Sequence, residues 1–300
     1  SIVFFIYSSL IVWNNDEDLF ALISNLWLEV TFGLLIIFIS YLIRYFRWRL
    51  ILKEINQSPP FFKDILIWFS SFAFTVTPGK SGEAVRLLLL KKEYKIPISN
   101  SLPSLLVERI CDAISVLFFI VINIRYFSNW EFNFSIFSIY GLIAIFLILT
   151  ILGNKFVVKN LIKIFPTFIG SRKQSFLLLN KFLRPITLIK LTIIGTIAWI
   201  LEGISFFILL TALEVDHVDW IGATLAHTAG GLFGALTMLP GGIGSTEIST
   251  IWLLNLQGVS FDIASLATLM IRMMTLWFAT LLGIFCLFLQ KSMNLYFVVD

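Results

Sequence analysis

Nine charged side chains interrupt apolar stretches of this 300-residue chain: Lys80, Arg86, Arg109 and Arg272, with Glu83, Glu108, Asp112, Glu202 and Glu247. At the centre of a membrane helix each costs on the order of 2.5–3.5 kcal/mol, so each needs a partner. The set sums to −1 and can nearly neutralise itself. Glu108 and Asp112 share a helix face at i,i+4, and Arg109 and Asp112 are i,i+3 neighbours. Such a set serves either as ion pairs clamping helices together or as the lining of a polar cavity. Its gathering around two Pro-Gly breaks favours the cavity, with Glu108, Asp112 and Glu202 the groups placed to carry protons.

The breaks are Pro78-Gly79-Lys80-Ser81-Gly82 and Pro240-Gly241-Gly242-Ile243-Gly244. A helix restarting after such a break offers free backbone N–H groups and the positive end of its dipole. That terminus receives a carboxylate or a phosphate. Gly79, Gly82, Gly241, Gly242 and Gly244 let the backbone approach a ligand closely. Glu83 and Glu247 either cap the restarting helices or belong to the cavity. Lys80, Arg86, Arg109 and Arg272 are the matching cations for a lipid phosphate, Arg by its fork and Lys as a point charge.

Other chemistries find no support. A P-loop ending at Gly79-Lys80-Ser81 needs a glycine at position 74, which is Phe74. His217 and His227 have no companions at metal-ligand spacing. No nucleophile stands with a base and an orienting acid. Neither an enzyme nor a cofactor nor a metal is expected. Asp16-Glu17-Asp18 has the pattern of a metal and sugar-phosphate site, but three acidic residues in a row are also an ordinary solvated turn.

The elements that hold these residues follow from composition. Hydrophobic residues make up 58% and charged residues 13% of the chain, which includes 31 Phe and 9 Trp. A soluble domain is roughly 45–50% apolar and about 25% charged. Soluble, disordered and disulfide-stapled classes are excluded; Cys111 and Cys286 both lie in apolar runs. The expected fold is all-α, a polytopic membrane protein with about six spanning helices at 1–13, 20–43, 101–124, 134–152, 191–213 and 263–290. The first of these reads as a span whose beginning is missing or short. The segments 61–90 and 220–256 are broken by the two Pro-Gly motifs.

Orientation follows the Lys/Arg bias. Arg44, Arg47, Arg49, Lys53 and Lys63, then Lys91, Lys92 and Lys95, then the basic stretch 153–190 place loops 44–63, 91–95 and 153–190 in the cytoplasm. The stretch 153–190 lacks Asp and Glu, and is either an interfacial amphipathic helix on anionic lipid or a solvated basic loop. Each broken segment has both ends on one side, so each is expected to re-enter, and from opposite sides. PGKSGE (78–83) aligns with PGGIGSTE (240–247), and Arg109 and Arg272 follow the two prolines by 31 and 32 residues. The expectation is one integral membrane domain in an inverted-topology repeat. Repeat 1 covers about 20–125, a connecting span and basic loop 134–190, and repeat 2 about 191–290, with the binding site near the midplane.

PGKSGEAVR, VERICD and PGGIGSTE together resemble the lysylphosphatidylglycerol synthase transmembrane-region family, also called flippase-like, over roughly residues 20–290. The resemblance implies a membrane protein handling phospholipid or polyprenyl-phosphate head groups through Pro78, Gly79, Gly82, Glu83, Arg86, Glu108, Arg109, Asp112, Pro240, Gly241, Gly242, Gly244 and Glu247. Arg is common in the family where Lys80 stands. The soluble aminoacyltransferase domain of the full synthases is absent from these 300 residues, so lysine transfer is not expected.

The expected function is therefore a lipid flippase or scramblase of the cell membrane that binds and translocates an anionic phospholipid or polyprenyl-phosphate lipid. Its partners are membrane lipids and not nucleic acid. Two alternatives stay open. One is a non-transporting partner of a lipid- or glycan-modifying enzyme, docked through 153–190. The other is a glycosyltransferase using a polyprenyl-phosphate sugar with Asp16, Asp18 and a divalent metal.

Overall fold

The computed structural model describes residues 26–57, 59–78, 81–123, 141, 159–160 and 171–292. Between Gly33 and Pro59 the sequence has neither glycine nor proline, and a single helix α1, Trp27–Glu54, fills most of that interval. Its counterpart α6, Pro185–Ala212, starts on a proline at its first turn, where the missing N–H costs nothing. At 1.5 Å per residue each 28-residue helix is about 42 Å long. Helix α9, Phe261–Arg272, continues through a π turn, Met273–Trp277, into α10, Phe278–Ser292. By length and composition α1, α6 and the α9–α10 run can each cross a membrane. Helix α4, Ile98–Asn123, is nearly as long but carries Glu108, Arg109 and Asp112 in its middle.

The two broken segments form helical hairpins. In the first, α2, Phe61–Ser70, tightens into a 3-10 turn, Ser71–Phe74; beyond Pro78 a second 3-10 turn, Ser81–Ala84, opens α3, Val85–Tyr94. In the second, α7, Trp220–Leu236, is capped by the Asp219 carboxylate, which accepts from the Ile221 and Gly222 N–H groups. After the break comes α8, Ser245–Leu256. Gly241, Gly242 and Gly244 have φ of 62°, 66° and 83°, a region closed to most side chains, so this corner requires its glycines.

Helices α1 and α6 share the most extensive contact, and α6 continues onto α7 and α4. Small residues set the approach: Gly203 lies on Thr224, and Gly230 and Gly234 lie on Thr250 and Thr246, so the arms of the second hairpin and α6 meet nearly backbone to backbone. Gly283 of α10 sits against the backbone of Phe72 and Ala73, seating α10 on the first hairpin. Helix α4 in turn contacts α7 of the second hairpin. The outward stripe Ile186, Ile189, Ile193 and Ile197 is exposed, which suits lipid and not water.

Three expectations change. The span 20–43 does not end before a loop: α1 runs on through Arg44, Arg47 and Arg49 to Glu54, because nothing in the sequence breaks the helix there. The span 191–213 begins earlier, at Pro185, and 101–124 at Ile98. Within 153–190, α5, Arg172–Phe182, turns its buried Ser175, Leu178, Leu179 and Phe182 onto the protein; it packs on α4, and the Ser175 hydroxyl donates to the Ser99 carbonyl at 2.8 Å. These buried residues rest on protein, while Leu177 stays exposed. The expected spans 1–13 and 134–152, apart from Gly141, lie outside the described residues.

Candidate functional site

The two Pro-Gly corners touch. Pro78 and Pro240 form an antiparallel β-bridge, isolated among the described residues. Neither proline has an N–H, so the pairing runs through the residues that flank them. Behind the first corner the Gly82 N–H donates to the Thr77 hydroxyl at 2.6 Å. A Cβ on Gly82 would stand 2.5 Å from the Phe74 carbonyl oxygen and collide with the Phe74 side chain. Gly82→Ala is therefore expected to lower stability by about 1–3 kcal/mol, read as a lower melting temperature of the purified protein.

Each corner carries a glutamate held by an arginine from the long helix that follows it. At the second, Arg272 at the end of α9 donates from Nε to Glu247 at 2.6 Å and from Nη2 to the Gly241 carbonyl at 2.5 Å. The other Glu247 oxygen accepts from the Gly244 N–H at 2.6 Å, so Glu247 both caps α8 and neutralises Arg272. At the first corner Arg109 of α4 lies 3.3 Å from Glu83 and 3.4 Å from Asp112. The two corners differ in openness: the Arg109 side chain is 39% exposed and that of Arg272 12%. Arg86 pairs with Glu108 in full burial, its guanidinium 4.1 Å above the Trp48 ring.

Between the hairpins lies a second layer of charge. Arg47, fully buried, reaches Asp112 at 2.8 Å. Arg44 lies 3.6 Å from Asp112 and donates to Glu202 at 2.8 Å while stacking 4.5 Å over the Trp199 ring. Glu202 also accepts from the Ser40 hydroxyl at 3.0 Å and lies 3.4 Å from His227 Nε2. Gly33 lies against Ser205, Ser40 on Glu202 and Arg47 against Gly195, so α1 and α6 pack antiparallel. Gly195 leaves the room: a Cβ there would strike the Arg47 guanidinium. Arg44, Arg47, Arg86, Arg109 and Arg272 are balanced by Glu83, Glu108, Asp112, Glu202 and Glu247.

The structure thus joins Glu83 to Asp112 through Arg109 and Asp112 to Glu202 through Arg44, with Arg47, among the described residues, on Asp112 alone, and sets Arg86–Glu108 and Arg272–Glu247 as separate pairs. Gly82, Gly241, Gly242 and Gly244 line the corners, while Gly79, Lys80, Asp16 and Asp18 lie outside the described residues. Arg44 and Arg47, expected in a loop, are instead central, and His227 joins them beside Glu202. Asp64 is also buried, held by Arg49 at 3.1 Å, by the Tyr45 hydroxyl at 3.2 Å and by Trp48 Nε1 at 3.4 Å; it fastens the start of α2 to α1. The signal for Arg44 and Arg47 was their i,i+3 spacing in sequence without a helix breaker; nothing local pointed to His227. Among the described residues no group of three or more His, Cys, Asp or Glu is disposed to hold a metal.

Long apolar helices around a core of paired charges, with two broken hairpins joined at their corners, define an all-α integral membrane protein. Residues 2–283 match the model of the lysylphosphatidylglycerol synthase TM region, and the chain belongs to that family. It is 26% identical over 287 residues to a UPF0104 membrane protein of Pyrococcus horikoshii, covering 85% of this chain and 84% of that one. A UPF0104 membrane protein of Methanocaldococcus jannaschii is 22% identical over 219 residues, covering 71% of this chain and 91% of its own. No solved structure gives a significant match.

Proposed function

We propose that the protein moves lipids across the cell membrane, taking an anionic phospholipid or polyprenyl-phosphate lipid by its head group. The observation that carries this is the matched pair of corners: Glu83–Arg109 and Glu247–Arg272 occupy aligned positions in the two halves, on corners that touch. That pattern supports two re-entrant hairpins in an inverted-topology repeat, with repeat 1 at about 20–125, repeat 2 at about 191–290, and residues 91–95, which are the last turn of α3 and its cap and not a loop, cytoplasmic. In such folds rocking of one repeat against the other alternates access to a midplane site.

Chemically the site works by anion exchange. An arginine held by a carboxylate stays neutralised if a lipid phosphate replaces that carboxylate, and the displaced carboxylate turns to water or takes up a proton, so neither buried charge is left stranded. A phosphate diester also matches the guanidinium fork. Arg109, the more exposed of the two, is the first to receive it, while Arg272 stays latched by Glu247 and the Gly241 carbonyl. No covalent step is involved.

The test is reconstitution into liposomes with a fluorescent anionic phospholipid and an impermeant quencher. Translocation above protein-free vesicles is expected, falling at least tenfold in Arg109→Gln and in Arg272→Gln. No movement by folded protein would exclude transport of that lipid class.

A further inference from the structure

We propose that the mouth of the first hairpin is a separate lipid site, which seats the phosphate head group of an anionic phospholipid from the adjacent leaflet. A groove of about 450 Å³ is lined there by Leu88, Lys91, Lys92, Lys95 and Pro97. Positions 88, 91 and 92 follow i, i+3 and i+4, so one face of α3 carries an apolar residue and then two ammonium groups, with Lys95 just past the helix end. Lys95 is in the left-handed conformation at φ 58°, where the helix ends. None of the five lining residues is acidic.

The surroundings select a lipid over a soluble anion. Leu88 is 56% exposed at the groove, and at the start of the neighbouring arm Phe62 is 79% exposed, followed by an exposed Lys63. The two arms come together here: burial raises the Glu93 carboxyl above its usual range, and Lys63 and Lys92 both pull it back. This end of the hairpin has two acids, Glu93 and the buried Asp64 that Arg49 holds, against Lys63, Lys91, Lys92 and Lys95. Exposed aromatic and leucine side chains beside a lysine cluster suit the boundary between acyl chains and head groups. A helix C-terminus favours lysines for its dipole alone, but that effect needs no lipid and is not lost with lipid identity.

The test uses the delipidated protein in detergent in an Arg109→Gln/Arg272→Gln background, which removes the two corner cations proposed to take the transported lipid, so its outcome is independent of transport. Phosphatidylglycerol, phosphatidylcholine and inorganic phosphate are titrated, and bound lipid is counted by native mass spectrometry. Each lysine near an anionic lipid surface is worth on the order of fivefold in affinity. Lys91→Gln/Lys92→Gln/Lys95→Gln is expected to weaken phosphatidylglycerol about a hundredfold and flatten its salt dependence, with phosphatidylcholine unaffected. The corresponding triple Arg variant keeps binding, and Phe62→Ser weakens it without changing the salt dependence. Unchanged phosphatidylglycerol binding by the triple Gln variant would overturn the site. Inorganic phosphate binding as well as the lipid does would overturn the lipid as its occupant.

Discussion

Asp112→Asn is expected to destabilise the protein by about 3–5 kcal/mol, the cost of stranding a buried charge. Three arginines approach this carboxylate, but they do not depend on it equally. Arg44 keeps Glu202 at 2.8 Å and Arg109 keeps Glu83 at 3.3 Å. Arg47 has no other carboxylate within ion-pair distance among the described residues, and it is fully buried against Gly195. The loss therefore falls on Arg47.

That asymmetry separates a local cause from a general one. Adding Arg47→Met to Asp112→Asn removes the stranded cation and is expected to restore most of the stability, since apolar replacement of a buried pair is often neutral. Adding Arg44→Met instead is expected to restore little and to leave Glu202 with less compensation. Melting followed by size-exclusion chromatography of the purified variants gives both answers. Equal rescue by the two arginine substitutions would mean that the network is not organised around the Arg47–Asp112 pair.

Much of the architecture was legible because glycine and proline act locally. Both segments are interrupted around their Pro-Gly motifs, although α2 ends early at Ser70, with a 3-10 turn to Phe74, and α7 ends at Leu236; α8 starts at Ser245, directly after the second motif. The spacing of Arg109 and Arg272 from those breaks aligned two residues that do pair with Glu83 and Glu247. The charge census failed at Arg44 and Arg47. Counting basic residues beside an apolar run assigns them to a loop, and only contacts with Asp112 and Glu202, distant in sequence, make their burial tolerable. Asp64 escaped for the same reason: its partners Tyr45, Trp48 and Arg49 lie on another helix. His227 has no companion at metal-ligand spacing in the sequence, and its neighbour Glu202 is reached only once α6 and α7 pack.

Contact between the two corners is the claim on which a shared site rests, and disulfide trapping measures it. A bridge pairing brings two Cα atoms within about 4.5–5.5 Å, inside the range a disulfide spans. Pro78→Cys/Pro240→Cys, placed in a Cys111→Ala/Cys286→Ala background and oxidised in native membranes with a membrane-permeant catalyst, should cross-link within one chain. The cross-linked protein should lose lipid translocation in liposomes and recover it on reduction. Failure to cross-link in protein that remains folded, where a positive control pair across α1 and α6 does, would place the corners apart and contradict a common central site.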